Sequence, residues 1–160
     1  MQRIDRRSFL WVGILLVVLS ACNSQDICLS NQHAAQIKLV SLYTTTSTTD
    51  KDTTLTVSVW GIGRTDSVYS SQSLSSLFLP LKFDGDPDTT SFILKLNTSI
   101  DTIYMVHRKE LDFVSGDCGY VFRFEIDTVW FTHNTLDSVS ISHPIIKYGE
   151  DATNIKLFVY

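Results

Sequence analysis

Three cysteines and six copies of one short tripeptide are the residues here whose types and spacing suggest chemistry. Cys22 closes the run Leu19-Ser20-Ala21-Cys22: an apolar residue, two small residues, then a thiol. That order is a lipobox, in which the thiol takes a diacylglycerol and cleavage ahead of it frees an amine for further acylation. One acyl chain anchors a protein marginally and two or more hold it firmly, at about 0.8 kcal/mol per buried methylene. With Cys22 committed to lipid, Cys28 and Cys118 remain. In an exported chain two spare thiols are expected to pair, and the absence of Cys-x-x-Cys argues against zinc or redox work. The alternative is two free thiols. On the chain-entropy model a bridge over that span contributes roughly 4–5 kcal/mol.

The tripeptide is Asp, then Thr or Ser, then Thr, Val or Ile, starting at Asp52, Asp66, Asp88, Asp101, Asp127 and Asp137. Its hydroxyls make Thr53, Ser67, Thr89, Thr102, Thr128 and Ser138 candidate glycan acceptors, with Thr53 and Thr89 favoured as nearest to loops. The same pattern is also turn chemistry, Asp closing a turn and a β-branched residue opening a strand. Other chemistries find less. Asp84, Asp86 and Asp88 have the opening spacing of a calcium loop, but Thr89 and Lys95 stand where that loop needs Gly and Glu, so the stretch reads as a solvated acidic turn. His33, His107, His133 and His143 form no i, i+4 pair. Gly61-Ile62-Gly63 lacks the third glycine and the helix of a nucleotide loop. Glu110, Asp112 and Glu125 are carboxylates that sequence alone does not bring together. No catalytic residue, metal or cofactor is assigned, and the chain is not read as an enzyme.

A leader must deliver these residues. Three Arg and one Asp open it, and Phe9–Leu19 is an apolar run that fits an export signal and is too short to span a bilayer with ordinary flanks. Arg6-Arg7-Ser8-Phe9-Leu10 partly matches a twin-arginine signal, but the strong hydrophobicity of the run favours the general secretory route. The organisation read from this is a signal peptide over residues 1–21, a lipidated tether over 22–34 and one domain over 35–160. The tether lacks Asp directly after Cys22 and lacks a dense acidic cluster, which points to the outer membrane, lipid-anchored, on its periplasmic face. Removing the leader leaves a net charge of about −6, which excludes nucleic acid as a natural partner. The expected partners are the bilayer, through acylated Cys22, and an envelope protein or polymer.

The mature chain keeps 17 Thr, 17 Ser and 3 Ala, a poor composition for helix and a good one for strands and turns. Residues 35–43 alternate, with Ile37, Leu39 and Tyr43 on one side; residues 53–61 alternate with Leu55, Val57 and Val59 inward. Further strands fall at 67–71, 77–83 (an edge or bulge, because of Pro80), 92–97 and 100–108, the last two joined by a tight turn at Asn97. Residues 109–117 read as a connection. The clearest strand follows, with Tyr120, Phe122, Phe124 and Ile126 on one face and a change of phase near Asp127 that suggests a bulge or a break. Strands at 129–131, 138–143 and 154–160 complete the set. About eight short strands and no helix predict an antiparallel β-sandwich, immunoglobulin-like or a similar Greek key; the alternative is a small closed lipocalin-like barrel.

Cys22, the nearby Cys28, Leu79-Pro80-Leu81 and Cys118-Gly119-Tyr120 opening a late strand occur together. That combination resembles an uncharacterised small lipoprotein family of Bacteroidota, known only as a domain of unknown function. The resemblance implies an exported β domain and carries over no activity. The Asp-initiated tripeptide is similar to the O-glycan acceptor that Bacteroidota use on exported proteins. Two functions follow from the whole reading: an envelope interaction module, or a small-ligand carrier with an aromatic-lined barrel cavity.

Overall fold

A computed structural model describes residues 34–42, 51–85 and 87–160. The leader, Cys22, Cys28, Tyr43 and Asp86 lie outside the described residues. Period-two alternation sets the inner face of the long strands. In β1 (Ala34–Ser41) Ala35, Ile37 and Leu39 are fully buried while Gln36 and Lys38 point the other way. In β3 (Leu55–Gly61) Val57 and Val59 are fully buried and Leu55 packs against the same core. In β11 (Ile155–Val159) Ile155, Leu157 and Val159 do the same.

The remaining described strands are β2 (Lys51–Asp52), β4 (Ser67–Leu74), β5 (Ser76–Pro80), β6 (Asp88–Leu96), β7 (Ser99–Ser115), β8 (Gly119–Phe131), β9 (Leu136–Ile141) and β10 (Ile145–Ile146). They make two sheets. One has the order β2-β1-β11-β9, with β5 also paired to β1; the other has the order β10-β8-β7-β6-β3-β4. Pairing is antiparallel except between β1 and β11, the first and last described strands, which run parallel. The inner faces meet in a core that includes Leu77, Leu79, Leu94, Leu96, Ile103, Met105 and Phe124. The architecture is a β-sandwich. The barrel alternative fails because the two sheets do not close on each other, and no described strand joins their outer edges into a continuous ladder. Eleven strands are described; without β2 and β10, which have two residues each and are too short to show a period, nine remain.

Local chemistry fixes several joints. The β6–β7 hairpin turns on Asn97, which takes a positive φ of 54° and whose side-chain oxygen accepts from the Thr56 N–H at 3.1 Å. The phase change in β8 is a bulge: Val106 lies opposite Thr128 and His107 opposite Ile126, so Asp127 is the extra residue. A second bulge in β4 sets Ser71 at a φ of 49°, its N–H bonded to the buried Ser58 hydroxyl at 2.9 Å.

Residues 109–117 do not form the connection expected from sequence. β7 continues through Ser115 and stays paired with β8 to Gly119. The alternation was unreadable there because Leu111, Asp112 and Phe113 are all exposed, so neither face carries a burial signal. The loop that closes this hairpin is short, with Gly119 at a φ of 65° and the Ser115 hydroxyl accepting from the Cys118 N–H at 3.1 Å.

Candidate functional site

The polar residues inside the sandwich build structure. Asp101 is on the inward phase of β7 with Ile103, Met105 and His107, and it is buried. Its carboxylate accepts from the Thr132 hydroxyl and from the backbone N–H groups of Asn134, Thr135 and Leu136, at 2.8 to 3.2 Å. That set fixes the corner by which the chain leaves β8 for β9. Asn154 acts similarly at the other end. Its side chain accepts from Gln36 N–H at 2.8 Å and donates to the carbonyls of His143 and Ile145 at 2.9 and 3.2 Å. His107 is buried, with its Nε2 2.8 Å from the Thr90 hydroxyl and its ring edge-on to Phe124 at 5.5 Å.

The other histidines do not join it. His133 rests on Phe131 with ring centres 4.4 Å apart, and His143 Nε2 is 3.1 Å from Glu150; His33 lies outside the described residues. Among the described residues no group of three or more His, Cys, Asp or Glu is placed to hold a metal ion. The carboxylates Glu110 and Glu125 are engaged separately: Arg123 pairs with Glu110, and Arg108 lies 3.6 Å from Glu125. Arg108 also forms a fork on Asp127 at 2.7 to 3.1 Å. The guanidinium's hydrogen bonds hold the Asp127 carboxyl below its usual range, and the same pair raises Arg108. The bulge turns Asp127 outward to meet that cation.

The six candidate acceptors are scattered over the surface. Ser67 and Thr89 are exposed, whereas Thr53, Thr102, Thr128 and Ser138 are half-buried. Ser138 also supports its neighbour: hydrogen bonds from Tyr160 and Ser138 hold the Asp137 carboxyl low. Asp88 is spent on its turn, accepting from Gly85 N–H at 3.1 Å and Thr89 N–H at 2.7 Å. Burial works against its charged form, but those two N–H groups and Lys82 outweigh it and the carboxyl is lowered. Thr89 borders an open groove of about 520 Å³, whose wall includes Ile62, Arg64, Lys82, Phe83 and Phe92. The groove's lining mixes those apolar side chains with the charged Asp66 and Asp84.

Two apolar surfaces stand out. The first is the outer face of the six-stranded sheet. There Trp130 lies directly across from Tyr104, and Trp60 lies across from Ile93, which in turn faces Thr102. Trp130 is 58 % exposed. The outer face of the other sheet differs, with Lys38 beside Lys156 and Lys156 beside Ser140. The second surface is the end of the β7–β8 hairpin. Lys109 covers the Phe122 ring at 5.5 Å and donates to the Phe83 carbonyl, and Phe83 stacks on Phe122 at 6.3 Å. Beyond them Phe113 meets Tyr120 edge-on at 5.3 Å. Cys118, at the tip, is disulfide-bonded, with its partner outside the described residues; its sulfur is 3.6 Å from the Tyr148 hydroxyl.

Sequence reasoning did not single out Asp101 or the Trp130–Tyr104 pair. Asp101 carried a signal, a carboxylate in phase with Ile103 and Met105. Trp130 and Tyr104 carried none, because their proximity depends on strand register.

The model of one family of unknown function, DUF6452, matches residues 56–159. The chain belongs to this family. No curated protein and no solved structure matches it. The matched span contains both apolar surfaces and Cys118, and it begins after β1.

Proposed function

We propose that this member of the family is an exported lipoprotein, held by acylated Cys22 on the periplasmic face of the outer membrane, and that it works as an interaction module. The outer face of the six-stranded sheet docks an envelope protein or polymer. The observation that carries the docking reading is Trp130, a large aromatic side chain left 58 % exposed beside Tyr104 on a sheet face that no described strand covers. Aromatic residues of this kind dominate binding when they are buried by a partner. The anchoring reading is supported by Leu19-Ser20-Ala21-Cys22 and the apolar run before it. Among the candidate acceptors, the exposed Thr89 is the preferred carrier of a glycan.

Two measurements test the anchor and the docking face. Metabolic labelling with a fatty-acid probe marks the native protein and loses its signal in Cys22→Ser; equal labelling of both rejects the anchor. A photo-crosslinking residue placed at position 130 in native membranes yields a discrete adduct that the same residue at position 140 does not. No adduct at 130, or the same adducts at both positions, rejects the docking face. An intact mass of native protein equal to the lipidated polypeptide alone eliminates the glycan.

A further inference from the structure

We propose that the edge of β7 from Lys109 to Ser115 is a strand-addition site, which takes an extended segment of a partner protein whose apolar residues alternate with lysine or arginine.

The backbone sets the site. The tight turn at Asn97 makes Leu96 and Ser99 a hydrogen-bonded pair, so the odd-numbered residues of β7 direct their N–H and C=O groups towards β6. β6 begins at Asp88, opposite His107. Beyond it Lys109, Leu111 and Phe113 keep the same orientation, and among the described residues no strand pairs with β7 on that side. A row of open donors and acceptors at ladder spacing is complementary to another strand. The edge of β5 is treated differently. There the outward N–H of Phe78 donates to the Tyr69 hydroxyl at 3.0 Å and Pro80 has no N–H, so that edge is closed to pairing.

The two faces beside this edge specify the side chains of the segment. Leu111 and Phe113, with Tyr120 across from Phe113, form an apolar strip on the face that Met105 and His107 present to the core. They are 66 %, 58 % and 70 % exposed. A strand laid along β7 places every second side chain on that strip. Between Leu111 and Phe113, Asp112 belongs to the other face. Glu110 is held there by Arg123, and Arg108 by Asp127. Asp112 lies across from Val121, and no ion pair among the described residues uses it. The fitting segment therefore sets apolar residues beside Leu111 and Phe113 and a cation beside Asp112.

A second copy of this chain does not meet that requirement. Two β7 edges paired about a two-fold axis at Leu111 set Glu110 opposite Asp112 on both sides of the axis. An axis at Glu110 or at Asp112 sets that carboxylate opposite itself. Like charges directly opposite one another oppose pairing, so the acidic residues guard the edge against self-association while leaving it open to a basic segment. Trp130 lies across from Tyr104, about 23 Å back along β7 from Leu111. This edge is a different surface from the docking face proposed above and does not depend on it.

The test uses the full mature protein in detergent and a pair of short synthetic peptides, one alternating valine with lysine and the other valine with glutamate. The lysine peptide slows backbone hydrogen exchange at Leu111 and Phe113 at least tenfold, and the glutamate peptide leaves it unchanged. In Asp112→Lys the preference reverses. Leu111→Pro removes an edge N–H that the β7–β8 ladder does not use; it abolishes protection at Phe113 and leaves the crosslink from position 130 in place. Protection by both peptides alike, protection by neither, or an unchanged preference in Asp112→Lys overturns the proposal. Slow exchange at Leu111 and Phe113 before any peptide is added also overturns it, because the edge is then already filled by a second copy or by another part of this chain.

Discussion

The two halves of the β7–β8 hairpin present the same kind of face and meet opposite fates. In one half Ile103, Met105, Phe124 and Ile126 are buried; in the other Leu111, Phe113 and Tyr120 are mostly exposed. Cross-strand pairing and side-chain chemistry continue from one half into the other. What changes is the opposite layer. β7 has 17 residues and β8 has 13, against 8 in β1, 6 in β9 and 5 in β11. At about 3.3 Å per residue the hairpin extends well beyond its cover. Burial here is a property of the facing sheet, not of the strand.

The largest expected effect breaks the buried half. Phe124→Ala removes a fully buried ring from the core and costs about 3–5 kcal/mol in denaturant unfolding; a loss below about 1 kcal/mol would mean that this half is not packed as described. Next comes Asp101→Ala, which strips three backbone N–H groups of their acceptor. At about 1–3 kcal/mol for an unsatisfied buried group, partly relieved by water, the cost is roughly 3 kcal/mol. A near-neutral result would show that the corner after β8 does not depend on this carboxylate. Phe113→Ala lies at the other end of the comparison and costs about 1 kcal/mol or less by the same measurement, as an exposed substitution does. A cost equal to that of Phe124→Ala would erase the distinction between the halves.

The smallest effect concerns the turn beside the strip. The Asp88 carboxyl is lowered in the folded protein. Its contribution is therefore fully present above the unfolded value of about 3.9 and is lost as pH falls through the lower folded value. Thermal unfolding followed from pH 6 to pH 2 should fall less steeply for Asp88→Asn than for the native protein. Identical slopes would remove Asp88 from the acid response.

Much of this was legible beforehand. The alternation at Ile37 and Leu39, at Val57 and Val59, and at Phe124 and Ile126 identifies the buried faces, and the phase change at Asp127 marks a real bulge. Pro80 ends β5, which lies off the main path of its sheet beside β1. Residues 109–115 escaped because a two-stranded ribbon with both faces in solvent has no burial period to read. Asp101 looked like one of six equivalent turn residues until the corner beyond β8 folded back on it.

The sequence by itself determined the class of the fold: hydroxyl-rich, β-branched segments with a period of two and almost no alanine make strands, not helices. The tertiary structure alone decided which apolar faces are covered, that the first and last described strands lie side by side, and that Trp130 stands across from Tyr104. The physical reason is that alternation is a local property of a strand, whereas burial and register depend on strands distant in the chain and on how far each one reaches.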